Sequence, residues 1–226
     1  AVIIGAGFAG LYQLWSLRKL GLRVRVVDAA AGVGGTWYWN SYPGARTDSP
    51  SNVYQYWFSD ELLEEWNWQQ RYPDQQESER YFNYVADRFD LRKDISFNTR
   101  VESATWDDST RRWNVKTDTG LTLNTQFVIT AMGPLSAPLV PMFKGQESFK
   151  GRLVHTARWP REGVDLKAKR VGVIGTGATG IQVVQTIAPE VAHLTVFQRT
   201  ANYAVPMINP RYDDADRAAI RAKYPE

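Results

Sequence analysis

Two copies of one glycine spacing constrain what this chain can fold into. G-A-G-F-A-G stands at 5–10 and G-T-G-A-T-G at 175–180. Each follows a short apolar run, at 1–4 and 170–174, and each opens onto a helical pattern. After the first, Leu11, Leu14, Trp15 and Arg18 form a stripe that Gly21 stops. A second apolar strand at 24–27 then ends on Asp28, 18 residues past Gly10. In such a unit Gly5 makes the tight turn, Gly7 lets the backbone come close to a pyrophosphate, and Gly10 permits tight helix packing. Free N–H groups at the helix start and the positive end of its dipole suit phosphates. Asp28 is placed to accept hydrogen bonds from a ribose.

The second unit ends differently. Its helix runs over 181–188 up to Pro189, and its next strand spans 194–198. Arg199 and Thr200 then occupy the place of a ribose-binding acid. That exchange favours a cofactor with a 2′-phosphate, NADP rather than NAD. Two units with different endings are hard to explain as one binding site, and the simplest reading is FAD on the first and NADPH on the second. The expected contacts to the first are Gly5, Gly7, Phe8, Ala9, Gly10 and Asp28. Those to the second are Gly175, Thr176, Gly177, Ala178, Thr179, Gly180, Gln182, Arg199 and Thr200. The fold class is α/β: two Rossmann-like dinucleotide-binding domains, an FAD domain over 1–140 and an NADP domain over 141–226. The crossing falls in 136–143, which holds Pro138 and Pro141.

Composition narrows the chemistry. The 226 residues contain no cysteine, which removes disulfides, cysteine-based zinc sites, iron–sulfur clusters and the dithiol chemistry of flavin disulfide reductases. Only His155 and His193 are present, too few for a histidine-rich metal site. A net charge of +3 without blocks of like charge gives no footprint for nucleic acid or a membrane surface. No apolar run approaches the ~18 residues of a spanning helix. A cytoplasmic protein is expected. Ala1 begins inside a strand and Glu226 follows the helical pattern of 213–224, so a longer polypeptide is expected, about twice this length.

The stretches between are structural by pattern. Trp66 and Trp68 lie in a polar helix-and-loop segment at 61–72. Tyr81, Tyr84, Val85 and Phe89 form a helical core stripe in 76–90. A strand is expected at 95–98. Alternating runs at 101–106, 112–116 and 121–123, split by D-D-S-T and D-T-G turns, predict a three-stranded antiparallel excursion. A buried strand at 127–130 follows.

Two further stretches carry a family resemblance. At 149–160 the chain reads F-K-G-R-L-V-H-T-A-R-W-P, with Phe149, Gly151, His155, Trp159 and Pro160 filling all five fixed places of a twelve-residue fingerprint. At 34–48 it reads G-G-T-W-Y-W-N-S-Y-P-G-A-R-T-D, a G-G-x-W start with Y-P-G-x-x-x-D ending 11 residues beyond Trp37. Both resemble motifs of the Baeyer–Villiger monooxygenases. Gly34 and Gly35 have no Cβ, so their backbone can approach a cofactor. Trp37 and Trp39 could wall a flavin ring from water, with core packing as the alternative for both.

The resemblance implies that the loop holding Gly34, Gly35, Thr36 and Trp37 passes under the flavin, that Tyr54 contacts it, and that Val101 lies beside the FAD adenine. It implies that Asp48 orients a catalytic arginine expected beyond Glu226. His155 and Trp159 would couple the two domains. The implied reaction is oxidation of a ketone to an ester or lactone, with NADPH, O2 and a flavin C4a-peroxide. The alternatives are an N- or S-oxygenating flavin monooxygenase and a non-catalytic nucleotide-binding fragment. Neither the ketone nor the oligomeric state is specified.

Overall fold

The computed structural model describes residues 1–224. In chain order its elements are β1 (Val2–Ile4), α1 (Phe8–Lys19), β2 (Arg25–Val27), α2 (Thr36–Trp39), α3 (Asp60–Glu65), α4 (Gln75–Arg88) and β3 (Ile95–Ser96). There follow β4 (Val101–Asp107), β5 (Arg112–Thr117), β6 (Thr122–Thr125), β7 (Val128–Thr130), β8 (Arg170–Ile174), α5 (Ala178–Ile187), β9 (His193–Phe197) and α6 (Asp214–Arg221). By its contacts the chain divides into two units. One joins Ala1–Trp39 with Ser78–Leu139, the other Asn40–Glu77 with Val140–Glu226. Residues 225 and 226 of the expected 141–226 domain lie outside the described residues.

The first unit is built on a parallel sheet in the order β3-β2-β1-β7. Its strands are short runs of V and I, and Val2, Ile3, Val26 and Val27 are all buried. Strands covered on both faces read in this way, as continuous rather than alternating apolar runs. Helix α1 connects β1 to β2 and buries Leu11 and Leu14, as its stripe predicts. From β1 the order runs to β2 on one side and β7 on the other. This reversal makes the carboxyl end of β1 the switch point where open α/β sheets bind ligands.

The antiparallel excursion forms as expected, in the order β4-β5-β6. It packs through Val115 on a cluster with Val2 and Val27, joined by Val101, Trp113 and Leu123. The strand expected at 95–98 is shorter, Ile95–Ser96. Asn98 takes a left-handed φ of 50° that ends β3 at Ser96. Tyr81, Phe82, Val85 and Ala86 of α4 are fully buried, which makes 76–90 a core helix.

In the second unit β8 and β9 pair in parallel with α5 as their connection, Val183 and Ile187 facing inward. The segment from Asn40 to Glu77 packs in the same unit. Trp68 Nε1 donates to Gln55 Oε1 at 2.9 Å, and Arg221 on α6 donates to Glu64 O at 2.7 Å. Helix α6 starts with a capping box between Asp213 and Asp216, which satisfies two backbone donors at its exposed end. No helix among the described residues is long and apolar enough to cross a membrane.

Candidate functional site

In the first unit three strand ends meet at the glycine loop. Gly5 N–H donates to Val27 O and Ala131 N–H to Ile4 O, each at 2.8 Å. Helix α1 starts with Gly7 as its N-cap, no side-chain cap and no acid in its first turn. Its first N–H groups therefore face outward without a capping side chain, which suits an anionic ligand. Phe8 is half exposed and meets Phe82 edge-on at 5.7 Å, while Ala9 is exposed. Gly10 backs directly onto the Gly5 carbonyl, where any Cβ would collide.

Asp28 ends β2 as expected. Its Oδ2 accepts from Ala6 N–H at 2.5 Å and its Oδ1 from Ala30 N–H at 2.7 Å. A carboxylate has about four acceptor positions, so room for a hydroxyl donor remains. The aspartate thus also fixes the glycine loop to the strand end.

The second glycine pair touches the first loop. Gly34 N–H donates to Ala6 O at 3.1 Å. A Cβ on Gly35 would lie 2.8 Å from Gly7 Cα. The direction that a Gly7 side chain would take is thus filled by backbone, a demand for glycine at 7 and 35 that exists before any cofactor arrives. Thr36 starts the one-turn helix α2. Trp37 is 7% exposed and Trp39 is half-buried against Tyr38. Val101 opens β4 and packs on the Val2 cluster.

In the second unit Tyr42, Pro43, Gly44 and Ala45 form a turn closed by Ala45 N–H to Tyr42 O at 3.2 Å. Proline second and glycine third, with φ +80° at Gly44, is the signature of a type II turn. Beyond it, Thr47 is buried and its N–H donates to Pro73 O at 3.0 Å, while Gln75 N–H donates to Ala45 O at 2.8 Å. Asp48 stands next, exposed, and accepts a long hydrogen bond of 3.4 Å from Ser49 Oγ. Tyr54 is half-buried, with its N–H on Pro50 O.

The second nucleotide loop is also uncapped. Gly177 is the N-cap of α5, without a side-chain cap or an acid in the first turn, and a Cβ there would meet open space. Gln198 Nε2 donates to Thr176 Oγ1 at 3.0 Å, and Asn202 Nδ2 to Thr176 O at 2.9 Å. These two tethers fold 198–202 onto the glycine loop, with Arg199 and Thr200 exposed between them. Sequence reasoning missed Gln198 and Asn202. The only available signal was a pair of amides flanking Arg199 and Thr200. Ala178, Thr179 and Gly180 form the first turn of α5, and Gly180 backs onto the Gly175 carbonyl as Gly10 does onto Gly5. Gln182, expected at the nucleotide, has both ends of its amide engaged within the protein. Tyr42 Oη donates to its Oε1 at 2.9 Å, and its Nε2 donates to Arg46 O at 3.2 Å.

The 149–160 stretch forms a loop with one 3₁₀ turn, Thr156–Arg158. His155 Nδ1 accepts from Ala157 N–H at 3.2 Å, which places the proton of the neutral ring on Nε2. Ser41 Oγ reaches Trp159 O at 3.5 Å. The Phe149 ring lies over Gly151, 2.5 Å from where a Cβ would be. Gly151→Ala is therefore expected to cost little, about 1 kcal/mol or less, because an exposed ring can swing aside. A thermal melt of the variant checks this, and a loss several times larger would mean that the ring is locked. Among the described residues no group of three His, Cys, Asp or Glu side chains could hold a metal ion.

The profile of the family described as pyridine nucleotide-disulphide oxidoreductase matches residues 2–215. The chain belongs to that family. The dithiol chemistry in the family's description has no counterpart in these 226 residues, which contain no cysteine. Relatives of the chain bear out the Baeyer–Villiger resemblance. An acetone monooxygenase (methyl acetate-forming) of Gordonia sp. is 55% identical over 226 residues, all of this chain and 42% of the relative. A Baeyer–Villiger monooxygenase of Pseudooceanicola batsensis is 52% identical, over 99% of this chain and 41% of its own length. A phenazine N-monooxygenase of Lysobacter antibioticus is 48% identical over 91% of this chain and 38% of its own. Among solved structures, an oxidized steroid monooxygenase bound to NADP matches with a TM-score of 0.95 at 53% identity, covering 98% of this chain and 42% of that one. The chain thus spans about two-fifths of the length of these relatives.

Proposed function

We propose that the polypeptide carrying this chain is an FAD- and NADPH-dependent monooxygenase that converts a ketone to an ester or lactone. One atom of O2 enters beside the carbonyl and the other leaves as water, with NADPH supplying two electrons as hydride and a proton completing the water. The observation that carries the reading is the pair of uncapped nucleotide-loop helices with different endings, Asp28 after the first and Arg199 with Thr200 after the second. The relatives' names support the ketone chemistry.

In this reading residues 1–140 hold FAD and 141–226 hold NADPH. The N–H groups at the start of α1 take the FAD pyrophosphate, and Asp28 adds ribose hydroxyls to the backbone donors it already holds. Gly34 and Gly35, locked to Ala6 and Gly7, present backbone toward the flavin. The N–H groups of α5 and the Thr176 loop take the second pyrophosphate, and Arg199 with Thr200 takes the 2′-phosphate. Bound FAD supplies the hydride acceptance and oxygen activation, while the protein supplies orientation, charge and exclusion of water. Asp48 holds a cation where negative charge develops. We place the enzyme in the cytoplasm, acting on a small-molecule ketone and O2 without nucleic acid.

A second reading rests on the phenazine N-monooxygenase among the relatives: oxygenation of a ring nitrogen. A panel of acyclic ketones, cyclic ketones and aromatic N-heterocycles, incubated with the FAD-loaded protein, NADPH and isotopically labelled O2, separates the two. One labelled oxygen in an ester or lactone is the expected product. Labelled N-oxide with no ester would replace the ketone reading.

A further inference from the structure

The loop that carries Asp48 is fastened to the helix that carries the second nucleotide loop. Gln182 and Thr186 lie one turn apart on α5, the helix that opens at Gly177. Tyr42 Oη donates to Gln182 Oε1 at 2.9 Å, and Gln182 Nε2 donates to Arg46 O at 3.2 Å. One amide side chain therefore spans the type II turn, gripping it before Pro43 and after Gly44. Thr186 Oγ1 donates to Gln182 O at 2.8 Å, which holds the helix surface shut beneath the turn. Gly44 sits directly on that surface. Any Cβ at this position would run into Thr186 Oγ1 and the Gln182 carbonyl. The turn needs a positive φ at Gly44, and the docking needs the same residue to have no side chain. The residue after Arg46, the buried Thr47, passes this placement to Asp48.

We propose that Gln182 is a positioning residue for Asp48 rather than a contact to the nucleotide, and that α5 and the turn at 42–48 move as one body. The proposal rests on the functional reading above, but its geometry lies wholly within the second unit. Leaving either partner for a cofactor would cost the amide a hydrogen bond that it already makes within the protein. A nucleotide settling on the N-terminal turn of α5 then acts on the same rigid element that holds the Asp48 turn.

The test is Gln182→Leu, which keeps a similar bulk and removes both bonds, beside Tyr42→Phe, which removes one. Each is made in the FAD-loaded protein. Amide hydrogen exchange over 42–49 is expected to quicken about tenfold in Gln182→Leu and by less in Tyr42→Phe. NADP+ affinity, read by titration, is expected to stay within about twofold. The fraction of NADPH that ends in oxygenated product should fall in the same order as the exchange rises. A Gln182→Leu protein with unchanged exchange at 42–49 and NADP+ affinity weakened tenfold or more would overturn the proposal and return Gln182 to the nucleotide site. If Gln182→Leu fails to fold, Tyr42→Phe decides alone: unchanged exchange sinks the idea. Because exchange and NADP+ affinity need no turnover, a wild type that oxygenates no ketone would defeat the functional reading and leave this one still measurable.

Discussion

Asp48→Ala is expected to lower oxygenation about 10²- to 10³-fold, the usual cost of removing one positioned electrostatic group, while FAD stays bound. The structure separates these effects. Asp48 is exposed, and among the described residues its carboxylate accepts a single long bond, 3.4 Å from Ser49 Oγ. A charge so lightly engaged contributes little to holding the loop. The loop is held by its neighbours, through Thr47 N–H on Pro73 O, Gln75 N–H on Ala45 O, and the Tyr42 and Arg46 bonds to Gln182. Truncation at 48 therefore removes a charge from a rigid mount without loosening the mount. The flavin spectrum and the melting temperature should match the wild type, and the loss should appear in kcat rather than in KM for NADPH. Asp48→Asn, which keeps the shape and removes the charge, should lose nearly as much. A variant that turns over its best ketone at the wild-type rate would reduce Asp48 to a turn residue.

The parts that could be read from sequence share a physical reason. Glycine spacing and buried V/I runs are local signals, so the strand–turn–helix units at 1–28 and 170–198 appear where the pattern puts them. The meander follows from period-two alternation between polar turns, and its register is recorded residue by residue. What stayed hidden depends on contacts between residues far apart in sequence. Tyr42 and Gln182 are 140 positions apart, and nothing in either neighbourhood signals that a tyrosine hydroxyl will close on that amide. The packing of 40–77 with 140–224 is of the same kind. Gly7 and Gly35 were legible as glycines that a ligand would require. Their mutual contact gives a second reason, which spacing alone could not reveal. The end of β3 illustrates a different limit. The alternation I-S-F-N at 95–98 reads as strand, yet Asn98 adopts a left-handed conformation and its N–H donates to Ala30 O at 2.8 Å.

Arg199→Ala is expected to raise the NADPH requirement on the order of 10- to 100-fold and to leave NADH use nearly unchanged. The residue follows β9, where the 2′ end of a dinucleotide arrives when its pyrophosphate rests on the preceding helix start. Its backbone is not left to chance. Gln198 and Asn202 tie the segment to Thr176, so the guanidinium emerges from a stretch fixed to the glycine loop itself. A guanidinium forms paired, charge-assisted bonds with a phosphate, and the Thr200 hydroxyl can add a donor. Bonds to charged groups are worth more than neutral ones, which sets the expected tenfold to hundredfold penalty. Because Arg199 is exposed, part of the preference should fade as salt rises. The substitution removes a side chain that no neighbour needs for packing, so the melting temperature should hold. Gln198→Ala offers the complementary measurement: it keeps the charge but frees one tether, and should weaken NADPH by less than Arg199→Ala does. Equal losses with NADPH and NADH in Arg199→Ala would indicate damage to the fold around β9. Unchanged NADPH affinity would remove Arg199 from the site and with it the physical basis for choosing NADPH over NADH.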